Sequence, residues 1–169
     1  MGIAIVGMFE SFVDAPWDDD KWEMWGMPWH PEYWVKMDRL FDIHEPTPAW
    51  DKLDEFTEKA KSISAPLYTR DQVNDYVTRY PIEKVEPYFE SSMSYMIALA
   101  VEEGHKKIGL WGFGMHSDSE YAHQKANTEY WIGYARGQGV EVYIHPSSAL
   151  CKQDHKYGDK EWQLPHTQN

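Results

Sequence analysis

The strongest constraint on the fold is a helix-to-strand sequence in the middle of the chain. Residues 89–104, Phe-Glu-Ser-Ser-Met-Ser-Tyr-Met-Ile-Ala-Leu-Ala-Val-Glu-Glu-Gly, place apolar side chains at helical spacing. Ser91 or Ser92 is suited to cap this helix, and Gly104 is suited to end it. Residues 107–114, Lys-Ile-Gly-Leu-Trp-Gly-Phe-Gly, then predict a short, continuously apolar strand before a glycine-rich loop. A strand of this kind is typical of a parallel sheet that is covered on both faces.

The same alternation of strand and helix extends along most of the chain. Apolar runs predict further strands over residues 2–7, 22–26, 40–44, 65–69 and 140–144, and helical spacing predicts helices over 49–60 and 120–136. Pro66 favours an edge position for the strand over 65–69, because proline donates no ladder hydrogen bond. Residues 71–80 are polar and partly helical in pattern.

These elements predict an α/β fold with a single three-layer Rossmann-like domain. Its sheet is expected to be mainly parallel, with about six strands. We expect this domain to occupy residues 1–150, followed by a polar C-terminal tail over 151–169, where apolar periodicity is lost.

Charge and composition limit the kinds of partner that the protein is expected to bind. The chain carries 28 acidic and 16 basic residues, a net charge of −12, which argues against a duplex nucleic-acid partner. A nucleotide can still bind an acidic protein through backbone amides and helix N-termini. The single cysteine, Cys151, fits a reducing cytosol, and no apolar run approaches the ~20 residues of a membrane span. We therefore expect a cytoplasmic protein without a membrane partner, and homo-oligomerisation is left open.

Polar residues with reactive or ligand-binding side chains follow the predicted strands. In a parallel sheet the carboxyl ends of the strands share one edge, so these side chains are expected to converge there. They are Ser11, His30, His44, Glu45, His116, Asp118, Glu120, His123, Ser147 and Ser148.

Three familiar kinds of site are disfavoured by the motifs. Residues 116–123 have ligand-type side chains at short spacing, but the acidic ones also suit a helix N-terminus, and no metal site is predicted. The sequence has no Gly-x-Ser-x-Gly turn of a serine hydrolase. Gly112-Phe-Gly114 lacks the third glycine of a dinucleotide fingerprint.

The order of the motifs resembles a known family. Gly7-Met-Phe-Glu-Ser11 follows the first strand, Glu90-Ser-Ser92 opens the apolar helix, and Leu110-Trp-Gly-Phe-Gly114 ends the central strand. His123 then begins a long helix, and Pro146-Ser-Ser148 follows the last strand. This arrangement is similar to the Rossmann-like fold of bacterial sialyltransferases that use a CMP-activated sugar, and to the related motility-accessory and pterin-pyrophosphokinase-like proteins. It also resembles small Rossmann-like proteins of tailed phages, which would place it in the host cytoplasm.

The resemblance implies a ligand and a set of site residues. The ligand would be a nucleotide or nucleotide sugar, and no other cofactor is expected. His123 would be the general base. The ligand-binding residues would be Gly7, Ser11, His44, Ser91, Ser92, Gly112, Gly114, Ser147 and Ser148.

Three functions remain open from the sequence. The first is nucleotide-sugar-dependent glycosyl transfer, with His123 removing the acceptor proton. The second is a phage protein that uses the same pocket to sequester a host nucleotide or signalling molecule without turnover. The third is a module that works through protein contacts, with its tryptophan- and tyrosine-rich surface as the interface.

Overall fold

The computed structural model describes residues 1–30, 33–44, 52–84, 91–115 and 121–152, and within these the chain forms seven strands and three α-helices. The strands are β1 (Gly2–Val6), β2 (Trp22–Gly26), β3 (Arg39–Asp42), β4 (Leu67–Thr69), β5 (Thr78–Arg79), β6 (Lys107–Trp111) and β7 (Glu141–Ile144). The helices are α1 (Leu53–Ile63), α2 (Ser92–Glu102) and α3 (Tyr121–Gly137). Short 3-10 turns span Glu10–Asp14, Trp34–Lys36 and Ile82–Lys84.

The strands form one parallel sheet in the order β5-β4-β3-β2-β1-β6-β7. Every strand pair is parallel. The chain fills one side of β1 first and then crosses to the other side with β6, so the topological switch point lies between β1 and β6. The predicted α/β Rossmann-like class is confirmed. The sheet has seven strands rather than about six because the two-residue β5 adds to one edge.

Two apolar clusters separate the layers. Side chains alternate across a strand, so Ile3 and Ile5 of β1 join one cluster while Ala4 and Val6 join the other. Helices α2 and α3 bury apolar side chains in the first cluster: Met96, Ile97, Trp131 and Ile132. Helix α1 buries Phe56 and Ala60 in the second. The sheet is therefore covered by α2 and α3 on one face and by α1 on the other, which gives the three layers.

Both ends of helix α2 form as the sequence predicts. The Ser91 hydroxyl accepts a hydrogen bond from the Ser94 amide at 3.3 Å, which satisfies one of the first helical N–H groups. Gly104 has φ +81°, the left-handed conformation that ends a helix at little cost for glycine.

An ion-pair cluster fixes the amino edge of the sheet. Arg39 at the start of β3 donates to Glu23 at 2.6 Å and to Glu103 at 2.8 and 2.9 Å, and it lies 4.5 Å above the Trp25 ring. Burial opposes the charged guanidinium, but the Glu103 and Glu23 carboxylates outweigh it, so the pKa of Arg39 is raised. These contacts join β2, β3 and the end of α2 at the edge opposite the strand carboxyl ends.

Two local predictions on the β4 side are wrong. Strand β4 is not an edge strand, since it pairs with both β3 and β5. Pro66 is tolerated because it precedes the strand and its carbonyl accepts from the Leu40 amide at 2.9 Å. Residues 71–80 form an irregular segment and β5 rather than a helix. Asn74 explains this, because its side-chain oxygen accepts from the amides of Tyr76 and Val77 and stabilises a turn.

Two further predictions concern the membrane and the tail. Among the described residues, no helix is both long enough and apolar enough to cross a membrane. Of the predicted tail, residues 153–169 lie outside the described residues, so the division at residue 150 stays a prediction.

Candidate functional site

The switch point between β1 and β6 is closed by backbone contacts. The Gly7 amide donates to the Trp111 carbonyl at 2.8 Å, and the Phe9 amide donates to the Gly112 carbonyl at 3.0 Å. A Cβ atom on Gly7 would lie 2.3 Å from the Gly112 oxygen, and one on Gly112 would lie 2.5 Å from the Gly7 oxygen. Gly112 also has φ +74°. Both glycines are therefore required for the two loops to touch.

Side chains strengthen this closure. Ser11 is buried in the Glu10–Asp14 turn, and its hydroxyl accepts from the Gly112 amide at 3.1 Å. A Cβ on Gly114 would lie 2.8 Å from the Phe9 ring. Four residues that the sequence predicted to bind ligand thus hold the β1 and β6 loops together. Their role toward a ligand stays a prediction.

A cleft opens further along the same edge, at the carboxyl ends of β3 and β4. We call it the β3–β4 cleft, and its empty volume is about 360 Å³ when the space open to solvent is included. One wall is the first turn of α1, and the other is the segment that follows β4. The lining residues are Asp42, His44, Leu53, Thr69, Arg70, Asp71 and Val73.

The cleft contains a contact between a carboxylate and an imidazole, the Asp42–His44 pair. Asp42 ends β3, and residues two apart in extended chain share a face, which brings His44 beside it. The His44 Nδ1 atom lies 2.5 Å from Asp42 Oδ1. The Asp42 side chain is only 7% exposed, whereas that of His44 is 42% exposed. A buried carboxylate therefore holds an imidazole whose ring is open to the cleft.

The second wall is fixed by short-range hydrogen bonds. The Thr69 hydroxyl donates to the Asp71 carbonyl at 2.7 Å, which turns the chain after β4 and leaves Arg70 exposed. Asn74 links the segment to α1, because its amide donates to the Thr57 hydroxyl at 3.4 Å. The wall is therefore anchored to α1 at one point and to β4 at another.

Other predicted site residues lie where α2 meets α3. The Ser91 hydroxyl lies 2.9 Å from that of Ser94 and 3.4 Å from that of Thr128. Ser92 is the first residue of α2, and His123 is exposed in the first turn of α3. The structure thus places Ser91 and His123 at the same helix pair, on the face of the sheet opposite α1, and their predicted roles stay predictions.

The residues after β7 form a turn of their own. The Ser147 amide donates to His145 Nδ1 at 3.2 Å, and His145 Nε2 lies 3.2 Å from Asp14. Ser148 is buried, and its hydroxyl accepts from the Leu150 amide at 3.2 Å. These contacts satisfy the turn, and the ligand role of Ser147 and Ser148 stays a prediction.

Sequence reasoning included His44 but missed three of its neighbours. Asp42, Thr69 and Arg70 line the same cleft. The available signal was an aspartate two residues before a histidine at the end of a predicted strand. Glu45, His116, Asp118 and Glu120 lie outside the described residues. Among the residues that the structure does describe, no group of three or more His, Cys, Asp or Glu side chains is arranged to hold a metal ion.

Comparisons with known proteins add a distant similarity. No family model matches the chain, and no curated protein matches it. The solved sialyltransferase CST-II, in complex with a trisaccharide acceptor and CMP, is similar to it with a TM-score of 0.40 and 10% identity over 85% of this chain and 80% of that one. A xylose isomerase domain protein from Planctomyces limnophilus gives a TM-score of 0.25 and 18% identity over 85% of this chain and 51% of that one. Both TM-scores are too low for either similarity to indicate a function.

The fold and the site together define a class. The chain is an α/β protein with an all-parallel sheet, a closed switch point and a polar cleft at the carboxyl edge of β3 and β4.

Proposed function

We propose that this protein binds a nucleotide sugar at the carboxyl edge of its sheet. The sugar would lie in the β3–β4 cleft, and the phosphate would lie at Arg70. The observation that carries the proposal is the composition of the cleft, which brings a buried carboxylate, an oriented imidazole, a hydroxyl and a guanidinium to one place. Parallel α/β sheets bind ligands at this edge.

The charges of the cleft suit a ligand with one anionic end and several hydroxyl groups. Arg70 is exposed at the rim and can bind a phosphate through two parallel N–H groups. Asp71 brings carboxylate oxygens that accept hydrogen bonds from sugar hydroxyls, and the buried Asp42 carboxylate adds negative charge beside it. A ligand that is anionic throughout would be repelled by these carboxylates, so a sugar is expected at this end of the ligand.

A partly exposed aromatic ring follows the neighbouring strand. Strand β2 lies beside β3, about 4.8 Å away, and Gly26 pairs with Leu40. Trp29 lies in the turn that follows β2, three residues beyond Gly26, and it is 36% exposed. Bases stack on exposed aromatic rings, so we assign Trp29 to the base of the nucleotide.

Calorimetric titration tests the proposal. The purified protein would be titrated with nucleoside monophosphates, nucleoside diphosphates, nucleotide sugars and the corresponding sugars without phosphate. We expect nucleotide sugars to bind more tightly than any of the separate parts. Arg70→Gln should weaken the binding of phosphorylated ligands by about 10-fold or more, because one charge-assisted hydrogen bond is worth roughly 1.5–3 kcal/mol.

Arg79→Gln is the matched control. Arg79 is also an exposed arginine, but it lies in β5 and does not line the cleft; it pairs with Glu83 at 3.1 Å. It should bind all ligands like the wild type. Equal losses of affinity in the two variants would show only a general effect of charge. If no nucleotide sugar binds to the wild type, the proposal is refuted.

The titration does not distinguish an enzyme from a protein that sequesters a nucleotide without turnover. Both alternatives need the same cleft. Only the enzyme would also need groups in the cleft that exchange protons with the substrate.

A further inference from the structure

We infer that Asp42 and His44 form an acid–base pair in which His44 is the catalytic residue and Asp42 is its positioning residue. The inference rests on the proposed function and extends that function by assigning turnover to the β3–β4 cleft. His44 would take the proton from the hydroxyl group that attacks the anomeric carbon of the bound sugar. The geometry behind this is the 2.5 Å contact between His44 Nδ1 and the Asp42 carboxylate.

The contact sets which ring nitrogen accepts a proton. A carboxylate only accepts hydrogen bonds, so the Nδ1 atom that faces it carries the hydrogen. In a neutral imidazole the lone pair is then on Nε2, at the opposite end of the ring. Asp42 therefore orients His44 so that Nε2 is the atom that accepts a proton.

The pattern of exposure separates this pair from the other histidine–carboxylate pairs among the described residues. His105 is 20% exposed beside Glu103 at 29%, and His145 is 17% exposed beside Asp14 at 61%. In both of these pairs the histidine is the more buried partner. In Asp42–His44 the order is reversed, with the carboxylate at 7% and the imidazole at 42%. A ligand in the cleft would reach the imidazole and not the carboxylate.

The reaction balances without a redox partner. The hydroxyl group of an acceptor sugar or of water gives its proton to His44 Nε2 as its oxygen forms a bond to the anomeric carbon. The bond between that carbon and the phosphate oxygen breaks, and its electron pair leaves with the phosphate, where Arg70 offsets the charge. The imidazolium then returns its proton to solvent. With water as the acceptor, the products are a free sugar and a nucleotide.

The first test is turnover of the nucleotide sugar that binds in calorimetry, measured as nucleotide release with and without added acceptor sugars. His44→Gln and Asp42→Asn should each lower kcat by roughly 10²–10⁴-fold, the usual contribution of a positioned base. KM should change little. His105→Gln is the matched control, since it alters a histidine–carboxylate pair at the other edge of the sheet, and it should have wild-type kcat. His123→Gln tests the alternative base that the resemblance implied.

The second test reads the tautomer directly. In the ¹⁵N-labelled wild type, the nitrogen chemical shifts of His44 should show hydrogen on Nδ1 and none on Nε2 at a pH where the ring is neutral. In Asp42→Asn the amide NH₂ group can donate to Nδ1, so the population with hydrogen on Nε2 should increase. A purely structural Asp42 would leave this population unchanged.

The outcomes are distinct. Binding without turnover of any nucleotide sugar overturns the acid–base role and leaves the proposed function in place. Turnover that survives in His44→Gln but is lost in His123→Gln moves the base to α3 and also overturns the inference. Hydrogen on Nε2 in the wild type contradicts the orientation by Asp42. If no nucleotide sugar binds, the proposed function and the inference both fail.

Discussion

The switch point and the β3–β4 cleft lie at the same edge of one sheet but are built differently. At the switch point Gly7 and Gly112 bring two backbones into contact, and Ser11 adds a buried hydrogen bond across it. At the cleft, α1 and the segment after β4 leave a gap that Asp42 and His44 line. In parallel α/β sheets the switch point is the usual ligand crevice. Here its glycines hold two loops in contact, and Asp42 and His44 line a cleft two strands further along the sheet from β1.

The largest expected effect is on stability at the switch point. Gly112→Ala places a Cβ atom 2.5 Å from the Gly7 oxygen, and both partners are backbone with little freedom to move. We expect a loss of about 3 kcal/mol or more in the free energy of unfolding, from steric overlap together with the left-handed φ. Urea denaturation measures it.

Gly104→Ala is the matched control for this change. Gly104 has φ +81°, but a Cβ atom there would meet nothing within 4 Å. It should lose only the conformational part, about 1–2 kcal/mol. Equal losses in the two variants would show that the β1 and β6 loops separate easily, and the contrast between the two regions would fail.

A smaller effect is expected at Ser11. Ser11→Ala removes the hydroxyl that accepts from the Gly112 amide inside the protein. Leaving that buried N–H without its acceptor should cost about 1–3 kcal/mol in urea denaturation. Ser62→Ala is the comparison, because the Ser62 hydroxyl donates to the Lys59 carbonyl on an exposed helix surface. A Ser11 variant as stable as the Ser62 variant would show that water replaces the lost bond.

The next smaller loss of stability is expected in the wall of the cleft, at Asn74. Asn74→Ala removes the acceptor of the Tyr76 and Val77 amides and the link to Thr57 on α1. We expect a loss of about 1 kcal/mol, since each bond contributes modestly in partly exposed surroundings. Amide hydrogen exchange should accelerate in residues 70–77 and stay unchanged in β1 and β6. Uniform acceleration would mean that the wall unfolds only with the whole domain.

The smallest expected effect on stability is at Arg70. Arg70→Gln changes an exposed side chain at the rim of the cleft and should alter the free energy of unfolding by less than about 0.5 kcal/mol. The same variant is expected to weaken ligand binding. If the variant is as stable as the wild type but binds the ligand less tightly, Arg70 acts on the ligand in the cleft. If the variant loses much of its stability, Arg70 serves the structure instead.

Local patterns in the sequence were enough to locate most of the fold. The β2 prediction matches its observed bounds, and β1 and the α2 cap agree closely because their signals are local: a continuous apolar run, a capping serine and a terminal glycine. The two-residue β5 and the interior position of β4 were missed. A strand of that length is defined by its neighbour, and the residues that pair with it are not visible in its own sequence.

The sequence by itself determined the layered α/β class, because alternating strand and helix patterns leave few ways to bury every apolar face. It also placed polar residues after the strands, His44 among them. Only the tertiary structure decided which of these meet. Gly7 and Gly112 are 105 positions apart in the sequence, yet they touch because β1 and β6 are neighbours in the sheet. The cleft around Asp42 and His44 exists because α1 packs on that face of the sheet, and no local pattern records the distance between two elements.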